Sequence, residues 1–161
     1  MNNIRNELGP RNVEGDDHND NIDKLFCTAK ACYEIIKYFR PDHEGLNVTV
    51  VGYGKRVGKP LSYLLMRKHL GTVTVTHKYT KNLIAHTSRS DIIVSAVGHK
   101  DIIFSAMAPK GSLIIDVSCS EDGKGDVHPE VAKFCDVTPV PGGVGPITTA
   151  LIMKNLSLKV K

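Results

Sequence analysis

A glycine-rich turn is the part of the sequence whose residue types most clearly suggest chemistry. It reads Val50-Val51-Gly52-Tyr53-Gly54-Lys55-Arg56-Val57-Gly58-Lys59-Pro60. The spacing G-x-G-x-x-x-G is one residue longer than the usual dinucleotide fingerprint. Glycine lets the backbone approach a pyrophosphate closely, and a helix that begins after the turn offers N–H donors and a favourable dipole. Glycine clusters also form ordinary turns, but a predicted strand before this one and a predicted helix after it favour cofactor binding.

The residues after the second predicted strand indicate which nucleotide such a site would bind. They are Thr76-His77-Lys78-Tyr79-Thr80, with no carboxylate nearby. NAD sites generally place an Asp or Glu there to bind the ribose hydroxyls. A cation instead favours the 2′-phosphate of NADP, so Lys78 predicts NADP, and Lys55 or Arg56 can serve the same purpose. The alternative interpretation of Lys78 is an ordinary surface lysine.

The charge distribution also favours an anionic ligand in this region. Residues 45–90 contain eight Lys and Arg and no Asp or Glu, whereas the rest of the chain carries 13 basic and all 17 acidic residues. A stretch without carboxylates attracts anions. A solvated basic face is the alternative. Nucleic acid is disfavoured as a partner, because no helix-turn-helix, RNP or basic-zipper pattern accompanies the charge.

Strands and helices alternate along the chain in the order that a parallel sheet requires. The hydrophobic pattern predicts strands at 46–52, 72–76, 91–97 and 112–117 and helices at 25–39, 60–70, 80–90 and 146–158. A short turn or helix is expected at 102–108, a short helix at 128–134, and a loop rich in proline and glycine after 135–138. The predicted fold class is therefore α/β, a Rossmann-like doubly wound parallel sheet with flanking helices.

Length and composition limit the remaining possibilities. The 161 residues are 41% hydrophobic and 24% charged, as in a soluble globular protein. Residues 1–24 are predicted to be a polar, poorly ordered lead-in, and 25–161 an NADP-binding domain with a linking helix at 25–40. No apolar run approaches the roughly 20 residues of a membrane span, and the N-terminus lacks a secretory h-region, so a cytoplasmic location is expected. The four cysteines are predicted to be reduced thiols; they are Cys27, Cys32, Cys119 and Cys135. No zinc or other metal site is expected.

The glycine turn and several later stretches together resemble the cofactor domain of the methylenetetrahydrofolate dehydrogenase/methenyltetrahydrofolate cyclohydrolase family. The most specific match is the eleven-residue run Thr138-Pro139-Val140-Pro141-Gly142-Gly143-Val144-Gly145-Pro146-Ile147-Thr148. The other matches are Val51-Gly52 with Val57-Gly58-Lys59-Pro60, His77-Lys78-Tyr79-Thr80-Lys81, Ala96-Val97-Gly98 and Ile115-Asp116-Val117. The resemblance extends from about residue 12 to about residue 156.

The resemblance implies an NADP-dependent oxidation of 5,10-methylenetetrahydrofolate, followed by hydrolysis of the methenyl cation to 10-formyltetrahydrofolate. It implies that Pro141, Gly142 and Gly143 reach the nicotinamide and the folate substrate, and that Glu14 corresponds to a pterin contact. No catalytic residue is predicted beyond that contact. The residues expected to bind the cofactor are Gly52, Tyr53, Gly54, Lys55, Arg56, Val57, Gly58, Pro60, His77, Lys78, Ala96, Val97, Gly98 and Cys119.

The sequence also departs from the family pattern. Gly54 stands where the family has a serine and Tyr53 where it has arginine or alanine, and the G-I-N after the fourth strand is Ser118-Cys119-Ser120. The N-terminal folate domain, with its Tyr-x-x-x-Lys motif, has no counterpart. The Tyr33–Lys37 segment fits that spacing but lies in the predicted linking helix.

These departures predict low activity for the chain alone. Two explanations would complete the cleft: the chain is a fragment of a longer protein, or a partner chain supplies the folate domain. The apolar last helix also favours a homodimer. The alternative is a non-catalytic NADP-binding or dimerising relative.

Overall fold

Five strands pair into one parallel sheet in the part of the chain that the structure describes. The computed structural model describes residues 26–42, 44–68, 71–118, 120 and 123–159. The elements, in chain order, are α1 (Cys27–Phe39), β1 (Leu46–Val51), α2 (Gly58–Arg67), β2 (Gly71–Thr76), α3 (Leu83–Thr87), β3 (Ile92–Ser95), a 3₁₀ turn (Ser105–Met107), β4 (Leu113–Asp116), a second 3₁₀ turn (Pro129–Lys133), β5 (Asp136–Val137) and α4 (Val144–Lys159). The predicted α/β class is confirmed.

The strand order β2-β1-β3-β4-β5 makes the sheet doubly wound. The register is parallel throughout, with Val51 opposite Thr76 of β2 and Ser95 of β3. The chain leaves β1 in one direction to form β2 and then returns past it to form β3. The carboxyl ends of β1 and β3 therefore flank the point where the order reverses, which is where open α/β sheets bind ligands.

Alternate residues of the central strands enter two separate cores, as the period of a strand requires. On one face of the sheet, Val50 and Val94 pack with α1, α2 and α4. On the other face, Val51 and Ile93 pack with the two 3₁₀ turns and with Leu83 of α3. Both faces of the sheet are covered, which explains why the strands read as nearly continuous apolar runs.

Helix α1 ends where the sequence predicts and is tied to the far edge of the sheet. The N–H of Arg40 donates to the carbonyl of Ile36, and Pro41 follows. The Arg40 guanidinium donates to the carbonyl oxygen of Gly111 at 3.0 Å and to the carboxylate of Asp136 at 3.1 Å. Helix α1 therefore contacts both the start of β4 and the start of β5.

Some element boundaries differ from the sequence predictions. Strand β5 was not predicted, because its two residues are too few to give a hydrophobic pattern; it pairs with Leu113 and Ile114. The predicted helix at 80–90 is only Leu83–Thr87, since Thr80 closes a turn onto His77 and Asn82 caps the helix from a left-handed conformation. Strands β3 and β4 are shorter than predicted, and α2 and α4 each begin two residues earlier.

Apolar side chains remain exposed on the two helices that pack against each other at one face. Tyr38 of α1 is 80% exposed, and Met153 and Leu158 of α4 are 63% and 65% exposed. Leu151 instead packs against the core. Among the described residues, no helix has both the length and the apolar character needed to cross a membrane. The predicted lead-in at 1–24 lies outside the described residues.

Candidate functional site

The glycine turn after β1 is held against both neighbouring strands. The N–H of Gly52 donates to the carbonyl oxygen of Thr76 at the end of β2, at 3.0 Å. A Cβ on Gly52 would lie 2.6 Å from the carbonyl oxygen of Ala96, which follows β3, and the φ of Gly52 is +101°. A Cβ on Gly58 would overlap the carbonyl oxygen of Gly52. Both positions therefore require glycine, for close approach and, at Gly52, also for backbone conformation.

Helix α2 begins directly at the end of this turn. Val57 is the N-cap residue, and among the described residues no side chain at this position accepts a hydrogen bond from the first N–H groups of the helix. Pro60 has no N–H group of its own. The N–H of Lys59 donates to the carbonyl oxygen of Gly54 at 3.0 Å, which closes the turn onto the helix. The positive end of the helix dipole thus faces the turn, in which Lys55 and Arg56 are exposed. This arrangement suits a phosphate.

A compact turn after β2 carries the predicted cation. The N–H of Thr80 donates to the carbonyl of His77 at 2.8 Å, and the N–H of His77 donates to Thr80 Oγ1 at 3.0 Å. His77 Nδ1 accepts from the N–H of Tyr79 at 3.1 Å. The exposed Lys78 places its Nζ 4.9 Å from the centre of the Tyr79 ring. Lys78 therefore stands at the same end of the sheet as the glycine turn, two residues after the strand that holds it.

A buried carboxylate organises the loop after β3. Asp126, which is 1% exposed, accepts from the consecutive backbone N–H groups of Val97, Gly98 and His99, at 2.9, 3.0 and 2.9 Å. It also accepts from the hydroxyls of Ser95, at 2.7 Å, and Ser118, at 2.9 Å. Every one of these donors lies at the carboxyl end of β3 or β4. The loop that was predicted to contact the cofactor is thus fixed by a side chain from a later segment.

A second buried aspartate, Asp116, ends β4. Its carboxylate accepts from the N–H groups of Val127, at 2.9 Å, and Ser118, at 3.2 Å. Burial raises the pKa of Asp116 above its ordinary value; hydrogen bonds from the backbone of Asp126 and Val127 lower it, and the charge of Asp126 raises it further. Gly125 leaves room for this carboxylate, because a Cβ there would overlap it.

The proline- and glycine-rich loop that follows β5 begins beside the end of β4, to which it is hydrogen-bonded. Thr138 Oγ1 accepts from the N–H of Asp116 at 2.9 Å, and the N–H of Gly143 donates to the carbonyl oxygen of Pro139 at 2.9 Å. The peptide bond between Val140 and Pro141 is cis.

Two clefts flank this loop. One, of about 450 Å³, is lined by Gly142 and Gly143 together with Phe39 of α1 and Ile147 of α4. The other, of about 560 Å³, is lined by charged side chains and by Val140 from the loop; the charged side chains include Lys100, Asp101, Asp116 and Lys124.

Residues 26–161 match the family model described as tetrahydrofolate dehydrogenase/cyclohydrolase, NAD(P)-binding domain. The chain belongs to this family. The resemblance inferred from the sequence motifs is thereby confirmed.

Curated relatives are similar over most of this chain and about half of their own. The bifunctional protein FolD of Petrotoga mobilis is 43% identical over 134 residues, which are 81% of this chain and 49% of that protein. The FolD protein of a Staphylococcus epidermidis strain is 40% identical over 158 residues, 89% of this chain and 55% of that protein. The chain therefore spans about half the length of the curated relatives it matches.

Solved structures of the family superimpose on the described fold. A 5,10-methylenetetrahydrofolate dehydrogenase from the silkworm Bombyx mori gives a TM-score of 0.79 at 39% identity, covering 84% of this chain and 51% of that one. The Trypanosoma brucei dehydrogenase-cyclohydrolase, complexed with NADP cofactor and inhibitor, gives 0.78 at 33% identity, covering 86% and 51%. The glutamyl-tRNA reductase of Methanopyrus kandleri, at 19% identity and a TM-score of 0.56 over 83% of this chain and 38% of that one, shares the fold.

Within this family fold, the predicted cofactor residues fall into three segments at one edge of the sheet. These are the turn at 52–60, the turn that begins with His77 and Lys78, and the loop at 96–98; their roles stay predictions. Pro141–Gly143 lie after β5, on the far side of β4 from the glycine turn. Glu14 and Cys119 lie outside the described residues.

Sequence reasoning missed the buried acids and serines of this edge. Asp116 was noted only as a strand end, and Asp126, Ser95 and Ser118 were not considered as site residues. A polar residue at the end of each apolar strand was the available signal. Among the described residues, no three His, Cys, Asp or Glu side chains are grouped as a metal site would need. Cys27, Cys32 and Cys135 are buried, and burial raises the pKa of Cys32 to about 12.

Proposed function

We propose that this chain is the cofactor-binding half of an NADP-dependent 5,10-methylenetetrahydrofolate dehydrogenase/5,10-methenyltetrahydrofolate cyclohydrolase. The observation that carries the proposal is the glycine turn at the point where the strand order reverses, closed against Ala96 by Gly52 and followed directly by α2. The geometry fits a dinucleotide, because the turn has no room for a side chain at Gly52 or Gly58 and has cations around it.

The residues have distinct parts in this proposal. The backbone from Gly52 to Gly58 and the first turn of α2 hold the pyrophosphate. Lys78, with Arg56 as a second cation, binds the 2′-phosphate, so NADP is preferred to NAD. The loop Ala96–Gly98 positions the ribose, and Pro141–Gly143 orients the nicotinamide and the folate.

Bound NADP supplies the acceptor for a hydride from the methylene carbon of the folate. The described residues contribute placement and exclusion of water. Holding two reactants in register is worth several kcal/mol of barrier, and general acid–base assistance adds about 10²–10⁴-fold. The folate wall of the cleft would come from a folate domain, in a longer form of this chain or in a partner chain, and Tyr38, Met153 and Leu158 offer exposed apolar surface for it. A cytoplasmic location stays a prediction from the sequence.

A non-catalytic NADP-binding or dimerising relative is the second candidate. Tyr53, whose side chain is 52% exposed, stands in the turn beside the proposed phosphate position, and Gly54 offers no hydroxyl there. A turn changed in this way suits a domain that binds the nucleotide without turnover.

Calorimetric titration of the chain with NADP, and with NAD for comparison, tests the proposal. We expect one saturable site that binds NADP more tightly than NAD. Binding of neither nucleotide would overturn the proposed function. Saturable, folate-dependent reduction of NADP by the chain mixed with a separately expressed folate domain of a relative would then distinguish the enzyme from the binding module.

A further inference from the structure

Asp126 is the most heavily hydrogen-bonded acid among the described residues. The roles proposed for the glycine turn and Lys78 do not explain why this buried acid is present. Both of its oxygens accept from backbone N–H groups: Oδ1 from Gly98 and His99, and Oδ2 from Val97. An N–H group can only donate, so these contacts need an acceptor on both sides of the carboxylate. The buried carboxylate therefore has hydrogen-bond partners for both oxygens, as buried polar groups in native proteins generally do.

These contacts determine what the loop after β3 can recognise. Its three consecutive amides point to Asp126, inside the protein, so they are not available to a phosphate. Of the backbone of this loop, the carbonyl groups remain for a ligand, and carbonyls accept from hydroxyl and amide donors. A negative charge immediately beneath the loop further disfavours an anion.

Asp126 also links this loop to its neighbours. The Ser118 hydroxyl after β4 accepts from the N–H of Gly98 at 3.0 Å and donates to Asp126 at 2.9 Å. Ala96, at the start of the loop, abuts Gly52. One carboxylate therefore joins the ends of β3 and β4, and the loop that it holds contacts the end of β1 at the point where the strand order reverses.

We propose that Asp126 is a positioning residue of the cofactor site, which makes the loop after β3 selective for the uncharged, hydroxyl- and amide-bearing half of a dinucleotide. The proposal rests on the proposed NADP binding. With the 2′-phosphate at Lys78 beside β2 and the pyrophosphate after β1, the rest of the cofactor extends over the ends of β3 and β4. That half of the molecule carries ribose hydroxyls and a carboxamide.

The test compares Asp126→Asn with the wild-type chain for two ligands, NADP and adenosine 2′,5′-bisphosphate, by calorimetric titration. Asparagine keeps one acceptor oxygen and puts an NH₂ group opposite backbone N–H groups on the other side. We expect the Kd of NADP to rise at least about tenfold, as for a broken buried hydrogen bond. The Kd of the bisphosphate, which occupies only the adenosine side, should change less than about threefold.

Asp91→Asn is the matched control. Asp91 also accepts from a backbone N–H group, that of Asn47 at 2.8 Å, but at the opposite edge of the sheet. It should leave both dissociation constants unchanged. Equal weakening of both ligands by Asp126→Asn, or no change for NADP, would overturn the proposal.

Two further measurements keep the proposal testable in every case. If Asp126→Asn does not fold, Ser118→Ala removes one bridge and keeps the carboxylate; it should weaken NADP about threefold with the bisphosphate unchanged, and no difference between the ligands would contradict us. If the wild type binds neither ligand, the proposed function fails. Amide exchange at Val97–His99 then decides the positioning role alone: acceleration in Asp126→Asn and not in Asp91→Asn supports it, and equal rates overturn it.

Discussion

At the carboxyl end of the sheet, the turns after β1 and β2 are held by different groups from the loops after β3 and β4. After β1 and β2, backbone carbonyls and the side chains of His77 and Thr80 hold the turns, glycines allow the segments to approach, and the charged side chains are exposed cations. After β3 and β4, two buried aspartates and two serines hold the loops, and successive amides point inward to a carboxylate. The difference teaches that a single edge can separate a region suited to phosphates from one suited to uncharged hydrogen-bonding groups, without any change in the sheet itself.

Gly58→Ala should have the largest effect on this contrast, because it fills the phosphate side. Its methyl group would overlap the carbonyl oxygen of Gly52. We expect a loss of about 1–3 kcal/mol in the free energy of unfolding and a loss of NADP affinity beyond about tenfold. Urea unfolding and calorimetric titration measure the two effects.

Gly145→Ala is the control for this substitution, since it also adds a methyl group in the first turn of a helix. Apart from its chain neighbours and the backbone of its own helix, no atom of the described residues lies within 4 Å of the added Cβ, and we expect unchanged NADP affinity with equal or higher stability. A Gly58→Ala chain that binds NADP as the wild type does would show that the close approach is not needed for binding.

Lys78→Ala should have a smaller, ligand-selective effect on the same side. Removing a charge-assisted contact to the 2′-phosphate should weaken NADP about tenfold and leave NAD unchanged. The measurement is the ratio of the two dissociation constants at one ionic strength, because exposed charges are screened by salt. Lys110→Ala, an exposed lysine before β4, is the control. Equal weakening of NAD and NADP would contradict a role at the 2′-phosphate.

Asp116→Asn should have the smallest effect and report on the buried-acid side. Because burial raises the folded pKa of Asp116 above its unfolded value near 3.8, the native state holds this proton more tightly than the unfolded state. The contribution of Asp116 to stability is therefore present at low pH and is lost as the pH rises through the folded pKa.

Urea unfolding of both chains between pH 4 and pH 7 measures this difference (about the range in which carboxyls titrate). The free energy of unfolding of the wild type, minus that of Asp116→Asn, should fall as the pH rises. A difference that stays constant, or grows, would mean that burial does not dominate the pKa of Asp116.

Much of the phosphate side could be predicted from the sequence, because its determinants are local. The glycine spacing, the apolar strand before it and the missing acid after β2 all lie between residues 46 and 80. The start of α2 at Gly58 rather than Pro60 was missed because a proline within the first turn is compatible with either boundary. Strand β5 was missed because two residues carry no period.

The opposite side could not be predicted, because it depends on pairs of residues that are distant in the chain. Asp126 contacts donors that lie up to 31 residues away, and its own neighbours in sequence, between a turn and a short 3₁₀ helix, indicate only a loop. From the local sequence alone, an aspartate after Gly125 is predicted to be a solvent-exposed loop residue. Its role depends on β3 and β4 pairing in register, which brings Ser95 and Ser118 to one edge.

The sequence by itself determined the α/β class, the order of the elements, the glycine turn and membership of the family. These follow from hydrophobic period, from the steric needs of glycine and from motifs that are continuous along the chain. Only the tertiary structure decided which backbone amides remain available at the edge of the sheet. Hydrogen bonds between distant segments leave no periodic pattern in the sequence. Asp126 follows a turn in the sequence, yet in the folded protein it is buried and accepts hydrogen bonds from the backbone N–H groups that follow β3.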